Sequence, residues 1–292
     1  MSGTAPSAPR IFDRPLIARH YARRTEQGAD FITQLVLDDL EQRLAPITRD
    51  FSNALIIGPD AALLPTKGQS ANGSFAFTRI STLIGTDNTA IDPDHLRLPH
   101  RDYDLIVSVL DLQCVNDVPG FLAGIRAHLA PDGLMLLAAI GGNSLQELRG
   151  AWLSADAIIS GGAYPRIVPL IDVRDAGSLL QRAGFALPVA DIEQHVVRYR
   201  SPLALMQELH ALGASNPLVE RPRKMTTKTL LAEANAAYVE TASDSDGRIR
   251  ATLEILWLSG WAPHENQQKP LAPGSAKVSL AKVLGHDDKS ES

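Results

Sequence analysis

The run Asp104-Leu-Ile-Val-Ser-Val-Leu-Asp-Leu-Gln-Cys-Val-Asn-Asp117 decides the fold. Its apolar residues are continuous rather than alternating, the pattern of a strand covered on both faces. Asp111, Gln113, Asn116 and Asp117 follow at once. Asp117 reads as the N-cap of a helix, with Pro119 tolerated in the first turn and Leu122, Ile125 and Leu129 sharing one face. A buried strand followed by a capped helix is an αβ unit. Its polar cluster then stands at the C-terminal end of the strand, where open αβ sheets bind ligands.

The same grammar repeats on both sides. Ile32, Val36, Leu40 and Leu44 recur every four residues, which predicts an amphipathic helix over 30–44. Residues 54–57 read as a short buried strand followed by a short helix-like stretch to Leu64 that Asp60 could cap, 75–80 as a second strand after a polar turn region at 66–74, and 134–139 as a central strand after a Pro131-Asp132-Gly133 turn. Ser144-Leu-Gln-Glu147 matches a capping box. Asp172 caps a helix ended by Gly184, residues 186–199 are strand-like, and further helices open at Ser201 and Thr227. Ile249 to Trp257 alternates, as a half-buried strand does. Strands alternating with helices predict a doubly wound, mostly parallel sheet. The expected organisation is a tail at 1–10, one domain over 11–268 with helical insertions near 144–166 and 201–241, and a C-terminal extension at 269–292.

Composition narrows the class. The chain has 292 residues, 45% hydrophobic and 21% charged, with a net charge of −5, which argues against a general nucleic-acid binder. The single cysteine, Cys114, excludes a disulfide framework and a cysteine-based zinc site. No apolar run reaches the roughly 18 residues of a membrane span. The N-terminus lacks a secretory core. Arg10, Arg14, Arg19, Arg23 and Arg24 suit either an organelle presequence or a short exposed segment, and Asp13 and Pro15 favour the latter. The simplest expected location is cytoplasmic.

Gly58-Pro59-Asp60 closes the first strand, where a nucleotide cofactor would meet backbone N–H groups. One glycine serves a plain turn equally well. Pro59 removes a donor, and Asp60 would repel a phosphate but not a sulfonium. No acid follows the second strand to hold a ribose. Asp94 is a candidate contact for an adenine amino group, with a solvated acidic loop, shared with Asp87 and Asp92, as the alternative. Asp111 is the better candidate at the third strand end. Cys114 has no partner histidine and reads as a buried structural thiol. Arg149 and Arg166 are candidates for holding an anionic or amide group, against the ordinary reading as surface arginines. None of the eight histidines forms an HxxxH, HExxH or HxD pattern.

The segments Ile11-Phe-Asp-Arg14, SVLDLQCVNDVPG (108–120), GGNSLQELR (141–149), GGAYPRIVPLIDVRDAG (161–177), ASNPL (214–218), DGRIRATLEI (246–255) and PGSAKVSL (273–280) together resemble class I S-adenosylmethionine-dependent methyltransferases. More closely, they resemble the methyltransferase-like assembly factors of respiratory complex I. The malonyl-acyl-carrier-protein methyltransferases of biotin synthesis are similar at greater distance. The resemblance implies a seven-stranded Rossmann-like sheet and an S-adenosyl-L-methionine pocket contacted by Gly58, Pro59, Asp60, Asp94, Leu110 and Asp111. It implies a protein substrate, an iron–sulfur subunit of complex I, contacted by Arg149, Arg166 and Asn216. The sequence departs from the pattern at the single-glycine loop, at the absent ribose acid, and at Gln113-Cys114, where relatives carry His-Trp. Two readings stay open: an enzyme that modifies a protein side chain, and a non-catalytic assembly factor that keeps the fold. A carrier-protein methyltransferase is the third.

Overall fold

The computed structural model describes residues 10–24, 30–83 and 90–267. All of the expected tail at 1–10 but Arg10, together with Asp87 and the expected extension at 269–292, lies outside the described residues. The described elements are α1 (Arg14–Ala22), α2 (Phe31–Leu44), β1 (Ala54–Gly58), β2 (Lys67–Ser70), β3 (Gly73–Ser81), β4 (Tyr103–Val109) and α3 (Val118–His128). After these come β5 (Leu129–Ile140), α4 (Gln146–Ser160), α5 (Val173–Arg182), β6 (Ala186–Tyr199), α6 (Pro202–Ala211), α7 (Lys228–Ala242) and β7 (Ile249–Trp261).

Seven strands form one mixed sheet in the order β2-β3-β1-β4-β5-β7-β6. The centre, β3-β1-β4-β5, is parallel. The edges are antiparallel, with β2 on β3 and with β7 between β5 and β6. This is the expected α/β class. The continuous apolar runs earn their central places: every residue of β1 is buried, as are all of β4 but Asp104. On one face α3 and α5 press Phe121, Leu122, Ile125 and Leu180 onto the sheet. On the other, α2 lays Val36, Leu40 and Leu44 over Ile56, Val107, Leu136 and Trp257. Each such side chain removed from water stabilises the fold by about 1.5–3 kcal/mol.

Asp30, Asp117, Asp172, Ser201 and Thr227 each accept a backbone N–H at the start of the helix they precede. Four local expectations fail, each for a stated reason. The helix-like stretch after β1 is a turn, because Pro59 and Pro65 leave five residues between them, too few for a helix of ordinary length. The chain returns instead through β2, inside the expected turn region, so parallel β1 and β3 are joined by a hairpin strand. The Pro131-Asp132-Gly133 turn is absorbed into β5, with Asp132 at φ 62°. The capping box does not form. Ser144 is fully buried and its hydroxyl serves β7, accepting from Glu254 N (2.9 Å), while Glu147 turns to Thr252 N (3.1 Å) and α4 starts after Leu145 at φ 55°. Last, β7 is not half-buried: Thr252 and Glu254 are buried along with its apolar residues, because the 141–147 loop covers them.

α4, α6 and α7 gather above the C-terminal edge of the parallel strands. There Leu148, Ala151, Leu205 and Tyr238 pack on Ile249 and Ala251 at the start of β7. The Tyr238 hydroxyl donates to Arg250 O at 2.9 Å, which satisfies the polar end of a fully buried ring.

Candidate functional site

β1 and β4 end side by side, and their ends carry the cofactor candidates. Gly58 is there because nothing larger fits: a Cβ on it would lie 2.9 Å from Val109 O. Its carbonyl accepts from Thr82 N (2.9 Å). Asp60 Oδ1 accepts from Ala62 N (3.0 Å), an Asx turn that stands where a helix cap was expected. Leu110 leaves β4 at φ 53° and its N–H donates to Ala138 O (2.8 Å). The crevice over Pro59, Asp60 and Leu110 holds only about 20 Å³, and Tyr21 of α1 and Arg24, two residues past its end, line it. Arg24 pairs with Asp30 and stands 3.9 Å from Asp60.

The stretch 10–24 was expected to be exposed. It is instead the cover of this edge. Phe12 and Ile17 are buried against Leu83 and Leu218. Asn116 Oδ1 accepts from the backbone N–H of both Ile11 (2.7 Å) and Phe12 (2.8 Å). Asp94 holds Asn116 in turn, accepting from its N (2.6 Å) and its Nδ2 (2.7 Å). Arg14 reaches furthest in. Its Nη2 donates to Thr82 O at 2.6 Å, and its Nη1 to Asp111 Oδ1 at 3.3 Å and Cys114 O at 3.4 Å. Asp111 is 1% exposed. Burial pushes its carboxyl above the ordinary range, and Arg14 opposes that shift. Burial pulls Arg14 down, but the negative charge of Asp111 leaves it above its usual value. Asp111 Oδ2 and Thr82 Oγ1 are both buried without a hydrogen bond of normal geometry, although the hydroxyl is near enough to favour the carboxylate.

Beside this cradle lies an apolar cavity of about 170 Å³. Ile17 and Tyr21 of α1, Tyr199 at the end of β6, Leu205 and Leu209 of α6, and Gln113 and Cys114 are among the residues that line it. Gln113 is held by Leu110 O, to which its Nε2 donates at 2.7 Å. Burial, then the Asp111 charge, pushes the Cys114 thiol up to about 12, consistent with an inert thiol.

The substrate candidates divide. Arg166 makes a bidentate pair with buried Asp156 (2.6 and 2.7 Å) and lies over the Trp152 ring, 4.7 Å from its centroid. Asn216 Nδ2 donates to Pro165 O (2.8 Å), and its Oδ1 accepts from Leu218 N (3.0 Å). Both border one shallow surface pocket with Arg221 and Lys224. Arg149, on α4, is half-buried and makes no side-chain hydrogen bond or ion pair among the described residues. Thr82 was not singled out from sequence, and Asn116 only as a member of the polar cluster at 111–117. Arg14 carried one signal, its place in the Ile11-Phe-Asp-Arg14 segment. Among the described residues no three His, Cys, Asp or Glu side chains gather as a metal site.

No protein-family model matches the chain. It is 34% identical over 299 residues to the arginine-hydroxylase NDUFAF5, mitochondrial, of Rattus norvegicus, covering 98% of this chain and 87% of that one. The Homo sapiens protein is 33% identical, covering 96% and 85%. The malonyl-[acyl-carrier protein] O-methyltransferase of Halorhodospira halophila is 33% identical over 63% of this chain and 61% of its own. The likeness to the first two runs through the sheet and the helices above it alike: the chain belongs to the NDUFAF5 arginine-hydroxylase family.

Proposed function

We propose that the protein acts on an arginine side chain of a protein partner, an iron–sulfur subunit of complex I, as part of assembling that complex. The cavity beside Gln113 and Cys114 carries this reading. At about 170 Å³ it falls below the roughly 300–1,000 Å³ of sites for drug-sized ligands. An apolar slot of that size, with Cys114 shared between its lining and the Asp111 cradle, suits one long side chain with a cationic tip. It suits a free metabolite less, and a carrier-protein substrate is supported by similarity over less of the chain.

S-adenosyl-L-methionine is the cofactor the fold class implies, and methyl transfer would need little beyond positioning. The residues at its usual place do not fit it with α1 seated. The crevice is about 20 Å³, Gly58 is packed on Val109 O, and Asp94 and Asp111 are engaged by Asn116 and Arg14. No step is assigned to it. Those engagements also favour the second reading, a non-catalytic assembly factor that only binds the partner.

Coexpression with the iron–sulfur subunit, followed by mass spectrometry of its arginine peptides, separates the readings. A gain of one oxygen or one methylene that is lost in Asp111→Asn supports catalysis. Capture of the subunit without any mass change sinks it and leaves binding. Titration with S-adenosylmethionine by calorimetry tests the cofactor, and absence of heat at millimolar ligand rejects it. A cytoplasmic location is the simplest proposal and is tested by cell fractionation. No described helix is long and apolar enough to cross a membrane.

A further inference from the structure

We propose that the cradle made by Thr82 O, Cys114 O and Asp111 is a guanidinium site, and that Arg14 holds it in cis until a partner arginine displaces it. The proposal rests on the arginine-directed reading above and adds a regulatory contact to it.

Four observations carry it. Three acceptors from separate stretches of chain, one of them a carboxylate, converge on the Arg14 guanidinium at 2.6, 3.3 and 3.4 Å. A planar, always-charged fork of N–H donors is the group that such an array recognises. Secondly, Arg14 leaves the array unfilled. It reaches one oxygen of Asp111 at 3.3 Å rather than gripping both, and the buried Asp111 Oδ2 has only the Thr82 hydroxyl beside it. A second arginine approaching from another side could make the bidentate carboxylate pair that Arg14 does not. Thirdly, an apolar cavity adjoins the cradle. Cys114, whose carbonyl is one wall of the cradle, also lines the 170 Å³ cavity, so an aliphatic stem in that cavity would run past Cys114 toward the acceptors.

Fourthly, the occupant is attached by a light element. α1 has nine residues and buries Ile17 alone among them, and a helix that short is not stable without its seat. Its lead-in is held by Asn116, by the Phe12 bridge to Leu218 and by Asp13 N donating to Pro217 O (2.9 Å). The same helix and the residues just after it set Tyr21 and Arg24 against Pro59 and Asp60. Lifting it would therefore open the cradle and the turn together.

The test uses the full chain and a small probe, N-acetyl-arginine amide, with methylguanidinium and methylammonium as comparisons. Arg14→Ala should bind the arginine amide about tenfold tighter than the native chain, the factor expected if Arg14 closes the site in about nine molecules of ten. Arginine amide and methylguanidinium should raise the thermal midpoint of Arg14→Ala, methylammonium should not, and Arg14→Ala/Asp111→Asn should respond to none. Equal binding by native and variant chains, or equal rescue by methylammonium, would overturn the proposal. If Arg14→Ala does not fold, Asn116→Ala keeps Arg14 but loosens its tether. It should bind the amide several-fold tighter than the native chain by the same population argument, and unchanged affinity would refute the plug. No arm reads turnover. Failure here therefore leaves arginine modification of the partner to its own assay, and failure of that assay leaves the cradle to this one.

Discussion

The carbonyl oxygen of Val109 lies 2.9 Å from where a Cβ on Gly58 would stand, nearer than real Cβ contacts come. The glycine that ends β1 is thus required by the neighbouring strand, whatever ligand the turn once served or serves. Gly58→Val should destabilise the fold by about 2–3 kcal/mol, since the obstacle is backbone that cannot rotate away. Urea unfolding checks this. Loss of ligand binding in that variant would say nothing about a cofactor loop unless stability were retained.

Arg166 and Arg149 should separate cleanly. Removing the Arg166 guanidinium leaves fully buried Asp156 unpaired, so Arg166→Ala should cost about 3–5 kcal/mol. Arg149 has no such partner, and Arg149→Ala should stay within about 0.5 kcal/mol of the native chain. Partner affinity measured in Arg149→Ala by surface plasmon resonance then reports a contact rather than a folding defect.

Cys114 should resist alkylation. With its thiol held near 12 by burial and by Asp111, iodoacetamide at pH 8 should label the folded chain more slowly than the urea-unfolded chain by about a hundredfold or more. Intact-mass spectrometry gives both rates. Fast labelling of the folded chain would mean that the 111–117 segment opens readily.

Asp111 sets a pH dependence of unusual sign. Its folded value lies above the ordinary 3.8, so the folded chain holds a proton there that the unfolded chain releases. Its contribution is present below pH 3.8 and is lost as pH rises through the raised value. Asp111→Asn should therefore flatten the stability profile over that window while weakening the hold on Arg14. Urea midpoints at several pH values read the difference between the two chains.

The central sheet was legible because it is local. β1 and β4 are continuous apolar runs, and a strand buried on both faces has nowhere else to go. Asp117, Asp172 and Thr227 announced their helices because a cap is a contact between near neighbours in sequence. The polar cluster at 111–117 could be placed at the sheet's ligand-binding edge for the same reason.

What covers that edge could only be decided in three dimensions. An arginine-rich stretch broken by Asp13 and Pro15 reads as an exposed segment, although Ile11, Phe12, Leu16, Ile17 and Tyr21 lie within it. Its partners, Thr82, Asp111 and Cys114, lie 68, 97 and 100 residues away. Ser144 and Glu147 looked like a cap until β7, more than a hundred residues on, claimed both side chains. The sequence by itself determined the sheet and which of its ends is chemical, since both follow from periodicity and burial. The tertiary structure alone decided that Asp94 and Asp111 hold an N-terminal segment, because a buried carboxylate takes whichever donors the fold brings to it.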